Sequence, residues 1–336
     1  MQIGSVDLER EVLVIAEIGN NHEGSYSRAE EMIERAAQAG AQAVKFQTIV
    51  PEKLVTADQT VRMETLKRFQ FSQAQFAGLA RTAAKAGVMF LSTPFDIDSV
   101  SWLSELVPAF KIASGDNDFT PLLRAVAATG KPIILSTGLA GLEEAAFSKD
   151  TITGEWERLN LPNPGLALLH CVVSYPTPPA EANLAAILQL AGLGCTVGYS
   201  DHTLGVDAAI TAVALGARII EKHFTLDKNF SEFRDHQLSA DPAEFAKLVR
   251  CIRLTEEMVG GDEKRVMPAE AAAQGAVQRG VYAARDLPAG TVPELADIAY
   301  LRPRNGFTPA DMDRCWGRPL TRAVSAGEPL SDAQFS

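Results

Sequence analysis

The stretch Ala109–Gly138, AFKIASGDNDFTPLLRAVAATGKPIILSTG, decides the fold. It opens on a short apolar run, Ala109–Ile112, whose end turns polar at Lys111, Ser114 and Asp116. A helical stretch follows and is closed by Gly130, where a glycine can take the left-handed conformation that stops a helix. A second apolar run, Pro132–Leu135, then ends in Ser136-Thr137-Gly138. Strand, helix, stop and strand again is the unit of a parallel sheet.

Working outward, the same unit recurs on both sides. Candidate strands are Val12–Ile15, Ala43–Phe46, Val88–Leu91, Ala109–Ile112, Pro132–Leu135, Leu166–Leu169, Cys195–Val197 and Arg218–Ile220. Between the first two, Ala29, Met32, Ile33, Ala36 and Ala37 share one helical face, and Ser27-Arg-Ala-Glu30 reads as a capping box. Gly40 and Gly87 close helices as Gly130 does. Repeated βα units of this number in roughly 250 residues predict a closed (β/α)8 TIM barrel. A doubly wound open sheet is the alternative that pattern leaves standing.

The barrel domain is expected over residues 1–260, with Ala243–Val259 as a last helix carrying Phe245, Leu248, Val249, Ile252 and Met258 on its apolar stripe. A polar, Ala-rich linker spans 261–278. Residues 279–336 change texture, with many Gly, Pro and Arg residues and an imperfect duplication. Arg285-Asp-Leu-Pro-Ala-Gly290 resembles Arg322-Ala-Val-Ser-Ala-Gly327, which predicts a small β-rich domain with pseudo-symmetry.

Composition bounds the function. The 31 basic residues are outweighed by 42 acidic ones, net −11, with no polybasic run, which argues against nucleic acid and anionic membranes as partners. A small anionic substrate stays open, since a few local lysines set the field of one pocket. Cys171, Cys195, Cys251 and Cys315 are far apart and unpaired in pattern, as in a reducing, cytoplasmic setting. Asp7, Glu9 and Glu11 before the first apolar run are unlike a signal peptide, and Val12–Ile18 is too short to span a bilayer.

In a (β/α)8 barrel the active site lies at the C-terminal ends of the strands. Here every strand ends polar: Glu17, Lys45 with Gln47, Ser92-Thr93, Lys111 with Ser114, Ser136, His170 with Ser174-Tyr175, Ser200-Asp201-His202, and Glu221-Lys222-His223. Lys45 and Lys111, near hydroxyls and glycines, suit a phosphate or carboxylate, or else pair with barrel carboxylates for structure. His202 and His223 end consecutive strands, where two imidazoles can share one divalent ion or simply form a hydrogen-bonded core pair. Glu17 reads as a general acid or base, or as the ion-pair partner of Lys45. Tyr175, in a proline-stiffened loop, either faces a sugar or makes a rigid corner. His22 and His236 are weaker candidates, and His170 reads as a packed structural histidine.

These motifs carry a resemblance. Ala-Glu17-Ile-Gly-Asn-Asn-His22, Val-Lys45-Phe-Gln47-Thr, Ser92-Thr-Pro-Phe95, Lys111-Ile-Ala-Ser-Gly115, Leu-Ser136-Thr-Gly138, Tyr175-Pro-Thr-Pro178, Gly198-Tyr-Ser-Asp-His202 and Ile-Glu221-Lys-His223 resemble, in order, the sialic acid synthase family. The stretch with Arg302-Pro303 and Asn305-Gly306 resembles that family's antifreeze-like (SAF) domain. The resemblance implies condensation of phosphoenolpyruvate (PEP) with an N-acetylmannosamine-like or diacetamido sugar, giving a nine-carbon 2-keto acid and phosphate. It implies PEP-binding roles for Lys45, Thr93, Lys111, Ser114, Ser136 and Ser200. It further implies catalytic roles for Glu17, Lys45, Lys111 and Glu221, and sugar contacts for Tyr175, Asp235 and Arg302. His202 and His223 would hold a divalent metal, Mn2+ first, with Mg2+ or Co2+ as alternatives. A homodimer with swapped C-terminal domains is implied as well.

Two departures bear on the substrate: Val173 stands where some members have Asn, and the stretch between Gln47 and Phe71 is shorter than in the neuraminate synthases. Other PEP-condensing barrel synthases lack the C-terminal domain. A non-catalytic glycan- or ice-binding protein would leave Lys45, Lys111, His202, His223 and Glu17 without a purpose.

Overall fold

The computed structural model describes residues 1–261 and 263–336, with Arg234 described in its backbone only. It divides into two compact units, Met1–Gly260 and Gly261–Ser336.

The first unit holds eight parallel strands: β1 (Leu13–Gly19), β2 (Ala43–Thr48), β3 (Met89–Pro94), β4 (Phe110–Ile112), β5 (Ile133–Ser136), β6 (Leu166–Cys171), β7 (Thr196–Asp201) and β8 (Ile219–His223). Their order is β3-β2-β1-β8-β7-β6-β5-β4. The first strand therefore pairs with the last, in register from Ile219 opposite Leu13 to His223 opposite Glu17. That single ladder excludes the open, doubly wound sheet, and β3 and β4 lie side by side to close the ring. The result is a nearly closed (β/α)8 barrel.

Several strands run one to four residues past their expected ends and take in Glu17, Gln47, Ser136, His170, Ser200 and His223. Ladder hydrogen bonds use the backbone alone, so a polar side chain does not end a strand whose inward face opens into a polar lumen.

One main helix follows each strand: α1 (Tyr26–Gln38), α2 (Gln73–Ala86), α3 (Asp98–Leu103), α4 (Thr120–Ala127), α5 (Leu142–Arg158), α6 (Ala186–Ala191), α7 (Asp207–Ala214) and α8 (Pro242–Val259). The expected cap of α1 is corrected. Ser25, not Ser27, accepts the Arg28 N–H, and Glu30 instead accepts from Thr82 Oγ1 at 3.0 Å. Helix α2 does carry a capping box, Ser72 with Gln75, and ends at Gly87 with φ +78°. On α8, Phe245, Leu248 and Ile252 are buried, whereas Met258 is exposed and leaves the predicted stripe.

Period-two alternation builds two cores. Val14, Ala16, Val44 and Phe46 point outward to the helices. Leu13, Ile15, Ala43, Leu91, Ile134, Leu169 and Ile219 fill the lumen with Ile3, Val6 and Leu8, the first two from an N-terminal hairpin (Gln2–Ile3 with Val6–Asp7). The apolar plug occupies the N-terminal half of the lumen, so the polar strand ends face the other mouth.

In the second unit, the segment 261–278 includes a helix, Ala271–Val277. Strands β9 (Gly280–Ala283) and β10 (Ile298–Leu301) pair antiparallel over a core of Val281, Leu287, Phe307, Leu320, Val324 and Leu330. The two duplicated segments bond to one another: Leu287 and Val324 exchange both N–H···O bonds at 2.8 and 2.9 Å. Among the described residues no helix is long and apolar enough to cross a membrane.

Candidate active site

A cavity of about 220 Å³ opens at the C-terminal ends of the barrel strands. Glu17, Lys45, Thr93, Lys111, Ser114, Ser136, Tyr175, Ser200, His202, Glu221 and His223 all line it. Asp235 lies beside it in the short helix Arg234–Leu238, and its charge only partly offsets the burial that lowers the His223 pKa. Arg302 is exposed just beyond β10 in the second unit. No described residue between Thr48 and Phe71 lines the cavity, while Val173 does.

The charged centre is buried. Lys45 Nζ stands 2.7 Å from Glu17 Oε2, 3.7 Å from Glu221 Oε1 and 3.3 Å from Thr93 Oγ1. Lys111 Nζ donates to Ser136 Oγ at 2.7 Å and to the Ile112 carbonyl at 3.0 Å, with Glu221 Oε1 3.8 Å away. Lys45 thus has the close barrel carboxylate of the structural alternative, whereas Lys111 has none closer than 3.8 Å.

Burial pulls the Lys45 pKa down, but Glu17 and Glu221 outweigh it and leave it above the ordinary lysine value. For Lys111 burial prevails over Glu221, and the pKa falls. The two carboxylates move in opposite directions. Burial lifts Glu17 more than Lys45 lowers it, whereas for Glu221 the effect of burial is overcome by Lys111, Lys45 and His223. Neighbouring carboxyls pushed apart in this way can take different proton-transfer roles. Glu17 is the group suited to carry a proton, and Glu221 the one suited to stay ionised.

Around Lys111, Ser114 Oγ accepts from the Gly138 N–H at 3.0 Å, and its hydroxyl also hydrogen-bonds to Cys171. Ser136 on β5 and Ser200 on β7 add hydroxyls, the latter bonded to Glu221 Oε1 at 3.1 Å. Cation, hydroxyls and the Gly115 backbone make a wall suited to an anion.

The opposite wall is imidazole. His202 Nδ1 faces the Val172 carbonyl at 2.8 Å, so Nδ1 is the protonated nitrogen of that bond and Nε2 is the one left to bind a metal. His223 Nδ1 is buried without a hydrogen-bond partner, and burial foremost lowers its pKa toward the neutral form. The two rings are 5.5 Å apart, and Tyr175 lies 4.2 Å from His202. Among the described residues no three His, Cys, Asp or Glu side chains are grouped to hold a metal. An ion here would therefore take two protein imidazoles and fill its other positions with water or substrate oxygens, a donor set that suits Mn2+.

The remaining histidines lie outside this cavity. His22 stacks on Phe71 at 4.3 Å, and its pKa is lowered by burial to about 4. His236 joins Thr225 to Glu23, and His170 faces the Ala182 carbonyl at 2.8 Å. Sequence reasoning gave no role to Gln47, which donates to Glu17 Oε1 at 3.2 Å and accepts from Asn20 at 2.9 Å. Its signal was the two-residue spacing from Lys45, which puts both on the same face of β2.

Fold and site define a (β/α)8 barrel of the enzyme type, its buried charges collected where such barrels hold their active sites. The sequence model of the NeuB family matches residues 32–264, and that of the SAF domain matches 278–336. The chain is 44% identical to an uncharacterized protein of Methanocaldococcus jannaschii over 88% of its length and 86% of that protein's. It is 36% identical to the N,N'-diacetyllegionaminic acid synthase of Legionella pneumophila, covering 94% of this chain and 92% of that one. The crystal structure of N-acetylneuraminic acid synthetase from Leptospira borgpetersenii superposes with a TM-score of 0.76 at 34% identity, covering 81% of this chain and 94% of the other. The chain belongs to the NeuB family of sialic-acid-type synthases.

Proposed function

We propose that the protein condenses PEP with the open-chain aldehyde of an N-acylated amino sugar, releasing phosphate and forming a nine-carbon 2-keto acid. The observation that carries this reading is the buried ring of Lys45, Glu17, Glu221 and Lys111 beside two imidazoles. Lys111, Ser114, Ser136 and Ser200 hold the phosphate and carboxylate of PEP, with Lys45 and Thr93 closing the same pocket. His202 and His223 hold a divalent ion, Mn2+ by the donor set, which when bound supplies Lewis-acid polarisation of the aldehyde.

Carbon 3 of PEP forms the new C–C bond, and water adds to carbon 2. Glu17, its pKa raised by burial, gives its proton to the aldehyde oxygen. As a carboxylate beside Lys45 it then takes one from the water, and the C–O bond to phosphate breaks as the carbon 2 hydroxyl becomes the ketone and its proton leaves with the phosphate. Gln47 holds the Glu17 carboxyl in place throughout. Tyr175, Asp235 and Arg302 are assigned to the sugar, and a swapped homodimer belongs to the same reading. A monomer in solution would remove that part alone.

The sugar is either N-acetylmannosamine-like or a diacetamido compound, the classes that the names of the Leptospira and Legionella relatives suggest. The test is phosphate release from PEP with a panel of both sugar classes, with product masses. Release with one class and a nine-carbon acid supports the reading. Release only with phosphorylated aldoses points instead to another PEP-condensing synthase, and no release with any sugar overturns both.

A further inference from the structure

Strands β7 and β8 alternate, so Ser200, His202, Glu221 and His223 face the cavity while Asp201 and Lys222 point the other way. These two are opposite one another in the ladder and nearly inaccessible, at 0% and 1% exposure. Lys222 Nζ stands 2.8 Å from Asp201 Oδ2. Asp201 Oδ1 accepts both the Thr203 N–H at 2.8 Å and the Thr203 hydroxyl at 2.7 Å, and Lys222 Nζ also donates to the Thr203 carbonyl. One ion pair thus ties the residues on both sides of His202 and is anchored on the residue before His223.

We propose that Lys222 and Asp201 are positioning residues that set the His202 imidazole for metal binding. A well-packed apolar pair would fill the same space with equal or greater stability, since a buried ion pair loses hydration on both partners. What an apolar pair cannot supply is directed bonds to the Thr203 backbone. The remaining freedom of His202 is removed from the other side, where Thr177 N–H donates to its carbonyl at 2.9 Å and its Nδ1 faces the Val172 carbonyl. With backbone and ring both held, Nε2 is presented in one orientation.

This inference rests on the metal reading above, and the test separates the two. Mn2+ is titrated into metal-free full-length protein, followed by the EPR signal of free ion, for the parent, His202→Ala, Lys222→Met and the charge-neutral double variant Asp201→Asn/Lys222→Met. The double variant keeps an acceptor for Thr203 and leaves no unpaired buried charge. Both Lys222 variants should bind Mn2+ about 10- to 100-fold more weakly, as loss of groups that orient metal ligands does. A purely structural pair would shift the melting temperature and leave Mn2+ affinity alone. Affinity within about twofold of the parent in a folded double variant overturns the proposal, as does failure of both variants to fold, which would assign the pair to the fold itself. If the parent and His202→Ala bind Mn2+ equally, the metal reading fails first.

Discussion

Lys45 and Lys111 carry the same charge into the same cavity, yet their surroundings differ enough to predict different losses. Lys45→Ala would leave Glu17 buried without its close cation, a loss of about 3–5 kcal/mol for a broken buried pair. Lys111→Ala removes a cation with no carboxylate nearer than 3.8 Å. Its cost should fall on PEP binding, weakened about tenfold or more as a charge-assisted bond of about 1.5–3 kcal/mol is lost. Calorimetric PEP titration beside thermal melts distinguishes them, and unchanged PEP affinity in Lys111→Ala would remove its anion-binding role. Asp116 makes a second test. Its Oδ2 is buried without a partner, and burial, helped by Asp118, lifts its pKa from 3.8 to about 6. A carboxyl raised in the folded state favours folding while it is protonated, and that contribution is lost as pH rises through about 6. Denaturation from pH 4 to 8 should show this decline in the parent and a smaller one in Asp116→Asn. Parallel curves would refute it.

At the scale of elements, caps and strand ends behave by different rules. A cap depends on one side chain reaching one N–H, so its position is a matter of a single residue. Ser25→Ala should cost about 1 kcal/mol by urea denaturation, and Ser27→Ala less than about 0.5 kcal/mol, because only Ser25 accepts from the first turn of α1. The reverse ranking would restore the cap expected from the sequence. Strand ends were misjudged by a residue or more for a different reason. Alternation predicts which side of a strand is apolar, but not that the inward side changes from apolar to polar halfway along the barrel axis. On β1, Leu13 and Ile15 plug the lumen and Glu17, two residues on, lines the cavity.

Across the whole barrel, that plug sets how deep the cavity is. Ile3, Val6 and Leu8 are 0%, 3% and 2% exposed and close the lumen from the N-terminal side. Ile3→Ala should destabilise the barrel by about 2–5 kcal/mol through the hole left behind. A melting temperature within a degree of the parent would show that the hairpin is dispensable. The hairpin was not read from the sequence, since two strands of two residues carry no periodic signal.

Much of this protein was legible in order along the chain. Eight apolar runs separated by helical stretches, each run ending polar, determined the βα repeat and named most of the side chains that now share one cavity. Local physics suffices for that, because hydrophobic period and glycine stops act within a few residues. Closure of the ring depended on β1 meeting β8, a pairing across some two hundred residues that the hydrophobic pattern does not encode. The opposite pKa shifts of Glu17 and Glu221 likewise came from tertiary structure alone. Two carboxylates with similar intrinsic pKa values part only when burial and the distances to Lys45 and Lys111 are set, and those are properties of the assembled lumen.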